Sequence, residues 1–237
     1  MTIVDNADAG RAGALDRCLA EEAAVTIRCY GGPNVPDLLM ARPYAERMWA
    51  ERERHRPLAA IAGALLLPVR QAALRRDPPV HASFVISEHV LTGLERRRKR
   101  PDIEIAQLHR LRESADDRHA SIRIHHFESP LLPPPGGAFT ITTDRGGRHT
   151  VFVEAPGEPG GLLTLQDHRS VTLYAEWFAA LSEASLDEDG SRVRIDKALK
   201  ERHRLPGAGL DAVCDKAASE PRPRRVSASS EDASGLT

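Results

Sequence analysis

The chain has 237 residues, 41% of them hydrophobic, and a formal net charge of -1 at pH 7. This length suffices to bury one sizeable core. The balanced charge excludes the global positive field that draws proteins to nucleic acid, although a local basic patch remains compatible with it. The 3 cysteines lack the close spacing of a metal site, and their odd number predicts a reducing cytoplasm.

The most apolar stretch, residues 58–69, is too short for a membrane span, which needs about 20 residues. The N-terminus carries Asp5, Asp8 and Asp16 and lacks the basic-then-apolar order of a signal peptide. We therefore predict a soluble, cytoplasmic protein that makes no membrane contact.

In chain order, polar residues 1–12 are predicted to be a flexible N-terminus. Residues 25–30 alternate apolar and polar side chains, which predicts a half-buried strand. Two helices are predicted to follow, at about 43–54 and about 58–76. Pro68 lies inside the second helix and is predicted to kink it or to restart it at the next residue.

The middle of the chain is predicted to hold most of the sheet. A short strand is expected at 84–86, and a helix around Ile105, Leu108 and Leu111. Four further strands are predicted at 121–127, 138–143, 149–154 and 162–165. Strands that follow one another through short turns favour an antiparallel meander over a doubly wound sheet.

The C-terminal part is predicted to be helical and then disordered. An apolar face predicts an amphipathic helix over the sheet; its members are Val171, Tyr174, Ala175, Phe178 and Leu181. The Ser-x-x-Glu order at 185–188 predicts a capping box that opens a last helix. Residues 206–237 are predicted to be a disordered tail.

The predicted fold class is α+β, with one regulatory or sensor domain over residues 13–205. An N-terminal helical layer is expected to accompany a small antiparallel sheet of four to five strands, covered by the C-terminal helices.

Several short blocks carry a resemblance to a known family. The sequence Val-Pro-Asp-Leu-Leu at 35–39, followed by Tyr-Ala-Glu-Arg at 44–47, is the most informative of them. Others follow in order, at 70–74, 86–91, 122–127, 139–141 and 151–154. Together they resemble, over about residues 25–200, the C-terminal domain of unknown function of actinobacterial antitoxin-like helix-turn-helix regulators of the Scr family. Only 34 residues precede the first block, too few for a multi-helix DNA-reading module, so we expect no specific DNA binding by this chain alone.

The resemblance implies a non-enzymatic regulatory module that binds a small protein partner. In that family the regulator's gene usually lies beside a gene for such a partner. The residues this resemblance offers as partner contacts are Val35, Leu38, Leu39 and Tyr44. The alternative for all four is packing inside the core, and their exposure distinguishes the two interpretations.

A second interpretation is small-molecule sensing in an apolar pocket between sheet and helices. Its predicted lining combines large rings with two carboxylates: Phe84, Glu88, Phe139, Phe152, Glu154, Tyr174 and Phe178.

A third interpretation, catalysis, depends on Glu88 and Glu154, which each end a predicted strand. Paired carboxylates can perform acid–base chemistry, but we favour the alternative that each pairs with an arginine or caps a neighbouring helix. His125 and His126 are neighbours in a strand and therefore point to opposite faces, which argues against a shared metal. We predict no catalytic residue, no metal and no cofactor. The basic cluster at 96–100 is interpreted as a solvated segment, with a phosphate or an acidic partner as the alternative.

Overall fold

The computed structural model describes residues 6–52, 54, 57–96, 100–129, 131, 137–154 and 162–205. The predicted disordered tail at 206–237 lies outside this part of the chain, and so do residues 1–5 of the predicted flexible N-terminus. The elements are, in order, α1 (Asn6–Ala23), β1 (Ala24–Tyr30), α2 (Arg42–Arg52), α3 (Pro57–Ala72), β2 (His81–Ser87), α4 (Glu88–Arg96), α5 (Pro101–Ala115), β3 (Ala120–His125), β4 (Phe139–Asp144), β5 (His149–Glu154), β6 (Leu162–Leu165), α6 (His168–Glu183) and α7 (Glu188–Arg204). The α+β class is confirmed.

The strands form one mixed sheet in the order β3-β2-β1-β4-β5-β6. β1, β2 and β3 are mutually parallel, whereas β4, β5 and β6 form an antiparallel meander that joins the other edge of β1. The prediction of a purely antiparallel sheet of four to five strands is therefore wrong, although its meander exists. β3 and β4 follow one another in sequence, but the chain crosses the sheet between them and places them on opposite sides of β1.

Side chains point alternately to the two faces of the sheet along each strand. Helices cover both faces. On the first face, Ile27, Phe84 and Ile124 pack in a core shared with α2, α3, α4, α5 and α7. On the second face, Val85 and Ile141 pack against α6. Both C-terminal helices pack on the sheet, but on opposite faces: α6 covers one face, while α7 joins the earlier helices on the other.

Two local predictions about helices also change. α3 continues through Pro68 as far as Ala72, so the predicted restart does not occur. α7 is capped by Asp187, whose carboxylate accepts a hydrogen bond from the Gly190 N–H at 2.7 Å. Ser185, the predicted cap, instead donates its hydroxyl to the Leu181 carbonyl at the end of α6.

Among the described residues, none of the helices combines the length and the apolar character needed to cross a bilayer.

Candidate functional site

A cavity of about 560 Å³ opens where β1 ends. Its wall is built from α1, the loop after β1, α2, the start of β4 and the end of β5. The wall includes Arg17, Tyr30, Asp37, Met40, Met48, Trp49, Glu51, Ala138, Phe139, Phe152 and Glu154. β1 is the strand at which the sheet order reverses, with its parallel neighbour on one side and the meander on the other. In open α/β sheets the crevice outside such a strand end is the usual ligand site.

The strand register sets the floor of the cavity. Cys29, Thr140 and Phe152 are cross-strand neighbours on β1, β4 and β5, so their side chains share one face of the sheet. The loop that follows β1 turns sharply over this floor at Gly31. A Cβ at Gly31 would lie 2.6 Å from the Asn34 carbonyl oxygen and 2.8 Å from the Pro36 ring, so only glycine permits this turn.

A buried ion network borders the cavity on the side of α1. Arg70 of α3 donates to both carboxylate oxygens of Glu21, with Nε–Oε2 and Nη2–Oε1 distances of 2.7 and 2.9 Å. Its third nitrogen, Nη1, donates to Asp37 Oδ2 at 2.7 Å. Arg17 completes the network: its Nε donates to Glu21 at 3.0 Å, and its Nη1 lies 3.8 Å from Asp37 Oδ2.

The network is charge-balanced and almost fully enclosed. The Glu21 and Arg70 side chains are 0% and 8% exposed. Burial by itself would lower the pKa of Arg70, but the carboxylates of Glu21 and Asp37 outweigh burial and hold that pKa well above its ordinary value. Two guanidiniums thus balance two carboxylates, which keeps each charge compensated inside the protein.

Arg17 links this network to the sheet. Its Nη2 donates to the Thr140 hydroxyl at 3.0 Å, and that hydroxyl donates in turn to the Cys29 sulfur at 3.4 Å. Burial raises the pKa of Cys29 to about 11, so its thiol stays protonated at neutral pH. The cavity floor is therefore connected, through a few hydrogen bonds, to residues on α1, on α3 and in the loop after β1.

Three of the seven predicted pocket residues belong to the cavity wall. Phe152 and Glu154 lie on its face of the sheet, whereas the ring of Phe139 lies on the opposite face. Tyr174 of α6 packs against Phe139 from the second face of the sheet, with ring centroids 5.0 Å apart. Phe178 lies in the core beneath α6, and Phe84 in the core of the first face. The sheet itself separates these rings, so the seven residues do not line a single pocket.

Glu88 is held apart from Glu154. It accepts hydrogen bonds from Arg194 Nε at 2.9 Å and from the His126 ring at 2.9 Å. Burial would raise the pKa of Glu88, but these bonds and the Phe127 N–H outweigh burial and lower it. For Glu88 the structure shows the arginine pairing that was weighed against catalysis. Within the described residues no three His, Cys, Asp or Glu side chains gather in a manner suited to a metal ion.

The four residues offered as partner contacts are all buried. Val35, Leu38, Leu39 and Tyr44 are 1%, 2%, 0% and 6% exposed and belong to the core of the first face. Val35 also forms part of the cavity wall. Their side chains have the core-packing role named as the alternative.

Sequence reasoning missed Arg17, Asp37, Met48 and Trp49 as cavity residues. Asp37 directly follows the Pro-fixed loop after a buried strand, a position where the carboxyl ends of strands present functional loops, and that signal was available. Arg17, Met48 and Trp49 lie on helices whose patterns carry no such signal. Of the basic cluster at 96–100, residues 97–99 lie outside the described part, and Arg100 pairs with Asp102 at 2.9 Å.

Comparison with known proteins gives one match. A family model described as "Domain of unknown function (DUF5753)" matches residues 16–197. No curated protein and no solved structure matches the chain.

Proposed function

We propose that this chain, which belongs to the DUF5753 family of domains of unknown function, is a non-enzymatic regulatory module that senses a small molecule. The observation that supports this proposal is the cavity at the end of β1. Its volume of about 560 Å³ falls in the range of small-molecule sites. Its wall combines apolar rings with a few placed polar groups, which is the usual make-up of such sites.

The ionisable groups that catalysis could use are engaged within the protein or protonated, which favours ligand binding over catalysis. Arg17 and Asp37 are committed to the buried network with Glu21 and Arg70. The Cys29 thiol, with a pKa of about 11, is not a thiolate nucleophile at neutral pH. Glu88, the partner that acid–base chemistry with Glu154 requires, is paired elsewhere with Arg194.

The resemblance to antitoxin-like regulators gives the proposal its regulatory sense. A ligand on the cavity wall touches Arg17 and Asp37, and these residues connect directly to α1 and α3 through Glu21 and Arg70. Occupancy of the cavity is thereby coupled to the packing of two helices on the surface of the molecule.

The test is a thermal-shift screen of the full chain against a metabolite library. A ligand that binds only the native state raises the melting temperature, by an amount that grows with its concentration. Ala138→Phe fills the cavity from the residue before β4, and Ala50→Phe places the same ring on an exposed position of α2 outside the cavity wall. We expect a hit to stabilise the wild type and Ala50→Phe but not Ala138→Phe. No hit across the library, or an equal shift in Ala138→Phe, contradicts the proposal.

A second candidate function, binding of a partner protein, rests on a different observation. α3 presents Ile61, Leu65 and Val69 to solvent at a spacing of four residues, and Leu65 is 71% exposed. The adjoining helix α1 exposes Leu15 and Leu19. An apolar stripe of this kind suits the apolar face of a partner helix. The occupant we propose is the small protein encoded beside this gene, as the resemblance implies.

Co-expression with that protein, followed by size-exclusion chromatography with light scattering, tests this candidate. We expect a stable complex that Leu65→Glu disrupts. Leu173→Glu, a matched change on the exposed side of α6, should leave the complex intact. Absence of a complex, or equal loss in both variants, contradicts partner binding at α3.

A further inference from the structure

We infer that the second face of the sheet carries a further ligand site, which binds the oxyanion of a small organic acid, either a carboxylate or a phosphate ester. The site is a cavity of about 390 Å³ between strands β2 and β3 and the end of α6. It lies on the opposite side of the sheet from Cys29 and the cavity at the end of β1. The inference therefore goes beyond the proposed function and does not depend on it.

The strand register places four polar side chains together on this face. Arg28, Ser83 and Ser121 are successive Cα partners on β1, β2 and β3, so they form one row across three strands that lie about 4.8 Å apart. Arg123 is two residues beyond Ser121 and therefore points to the same face. Its Cα partner Val85 belongs to the core under α6, which identifies the face. Ser83, Ser121 and Arg123 line the cavity, and Arg28 borders it beside Ser83.

Arg28 is a half-buried cation, and no carboxylate in the described part of the chain pairs with it. Burial alone lowers its pKa, whereas for Arg70 the carboxylates of Glu21 and Asp37 outweigh burial. Partial removal of a guanidinium from water without a counter-charge is unfavourable. A group perturbed in this way beside a cavity is characteristic of binding sites. An oxyanion bound next to Ser83 supplies the missing counter-charge.

The end of α6 positions Arg123 for the same ligand. Its Nη1 donates to the Ser182 carbonyl at 3.1 Å, which holds the guanidinium beside the helix. Among the described residues no carboxylate pairs with Arg123, so its Nε and Nη2 remain available to a ligand. Guanidinium groups bind carboxylates and phosphates through two parallel N–H donors. Two guanidiniums and the hydroxyls of Ser83 and Ser121 thus match the several acceptor oxygens of one oxyanion.

The rest of the cavity indicates the kind of molecule that carries the oxyanion. Phe178, which is 6% exposed, lines the cavity from α6 and favours an apolar or aromatic body. A volume of about 390 Å³ is in the range of small-molecule sites and exceeds the needs of a bare inorganic ion.

Two carboxylates also line the cavity, those of Glu183 and Glu188, and both residues are exposed. Exposed charges are screened by water and salt. They therefore oppose an oxyanion at the sheet less strongly than the half-buried guanidiniums of Arg28 and Arg123 attract it. We expect Glu183→Gln not to weaken the binding of an anionic probe.

The experiment uses three probes that share one phenyl body. Benzoate is a carboxylate, phenyl phosphate is a phosphate ester, and benzamide is the neutral counterpart of benzoate. Each is titrated into the full chain at constant ionic strength, and the dissociation constant is measured by saturation-transfer NMR. We expect at least one anionic probe to bind about tenfold more tightly than benzamide, the size of effect of one hydrogen bond to a charged group. Tighter binding of benzoate assigns the site to carboxylates, and tighter binding of phenyl phosphate assigns it to phosphate esters.

Variants of the polar row assign the effect to its members. Arg28→Gln should weaken the anionic probe about tenfold and leave benzamide unchanged. Arg28→Lys should have an intermediate effect, because it keeps the charge but loses the planar pair of donors. Arg169→Gln removes the same charge from an exposed position of α6 outside the cavity wall and is the control. Ser121→Ala removes only a half-buried hydroxyl and should weaken the anionic probe several-fold, so the inference is tested even if Arg28→Gln fails to fold.

The outcomes also separate this site from the cavity at the end of β1. Ala138→Phe, which fills that cavity, should leave the binding of the anionic probe unchanged. Loss of binding in Ala138→Phe would assign the acid to the other cavity and overturn this inference without affecting the proposed function. Equal affinities of the three probes, no binding by either anion, or equal effects of Arg28→Gln and Arg169→Gln would overturn it as well.

Discussion

At the scale of single residues, Arg70 connects three separate parts of the chain. It is enclosed, it makes three hydrogen bonds to two carboxylates, and it connects α3 to α1 and to the loop after β1. Removal of such a residue deprives the buried carboxylates of Glu21 and Asp37 of a charge partner that both share.

We predict that Arg70→Met lowers the free energy of unfolding by about 3 kcal/mol, because it removes from two buried carboxylates the guanidinium that they share. Urea denaturation of the full chain measures this loss. Arg42→Met is the control: Arg42 pairs with Glu46 at 2.8 Å on the surface, and exposed pairs contribute at most about 1 kcal/mol. Equal losses in the two variants would contradict the role assigned to the network.

Glu88 gives a prediction about pH at the same scale. Its hydrogen bonds lower the folded-state pKa below the ordinary value of 4.5. A carboxyl whose pKa is lower in the folded state stabilises the fold above its unfolded-state pKa, and this contribution disappears as pH falls through the folded-state pKa. The stability advantage of the wild type over Glu88→Gln should therefore be constant near neutrality and should shrink below about pH 4.5.

Denaturation curves of both proteins between neutral and acid pH measure this difference. Glu176→Gln, an exposed change on α6, provides the reference for a surface glutamate. A wild-type advantage that grows with acid would reverse the expected sign and overturn the assignment.

At the scale of elements, the start of α7 depends on Asp187. This side chain accepts a hydrogen bond from Gly190 N–H, one of the four N–H groups that a helix start leaves without an internal partner. We predict that Asp187→Ala costs about 1 kcal/mol of stability. Asp189→Ala removes the same charge two residues further on without removing the cap, and should cost less. If urea denaturation shows the same loss of stability in both variants, the negative charge near the helix start is responsible and the capping hydrogen bond is not.

Most element positions were predictable from local pattern. The strands at 149–154 and 162–165 have the predicted bounds, because alternation and turn residues specify a strand locally. α4 was missed: its apolar face, Val90, Leu91 and Leu94, is confined to nine residues, and the sequence there reads as the exit from β2. Strand pairing was the larger error, since the neighbours of a strand depend on chain crossings that periodicity does not record.

The residues of the cavity wall were likewise only partly predictable from the sequence. Phe139 and Phe152 were predicted because they are large rings on strands of the sheet, and Glu154 because it ends a strand. Arg17 was not found because it meets Thr140 across 123 positions of chain. Its neighbours in sequence give no sign of that contact, and the pattern of an ordinary surface helix conceals it.

At the scale of the whole molecule, the net charge of -1 gives no general attraction to DNA. We predict that this chain alone binds no duplex DNA specifically, because the basic cluster at 96–100 neutralises few phosphates and its contacts weaken steeply with salt. A gel shift on the gene's own promoter region, with competitor DNA near about 150 mM salt, tests this. Specific sites are bound at about 10⁻⁸ M or tighter. A discrete shift that survives competitor and is lost when Arg96, Arg97 and Arg98 become Ala would overturn the prediction.

The central place of β1 governs the order in which the molecule assembles. It is the first strand to be synthesised, yet its antiparallel partner comes far later: Cys29 and Thr140 are 111 positions apart. Contacts between residues that are so far apart in sequence form slowly, whereas the turn between β4 and β5 closes locally. Until the meander docks, one side of β1 is an open row of backbone hydrogen-bonding groups, the kind of edge that pairs with other chains. Translation arrest before β4 thus produces a fragment whose exposed strand edge favours aggregation.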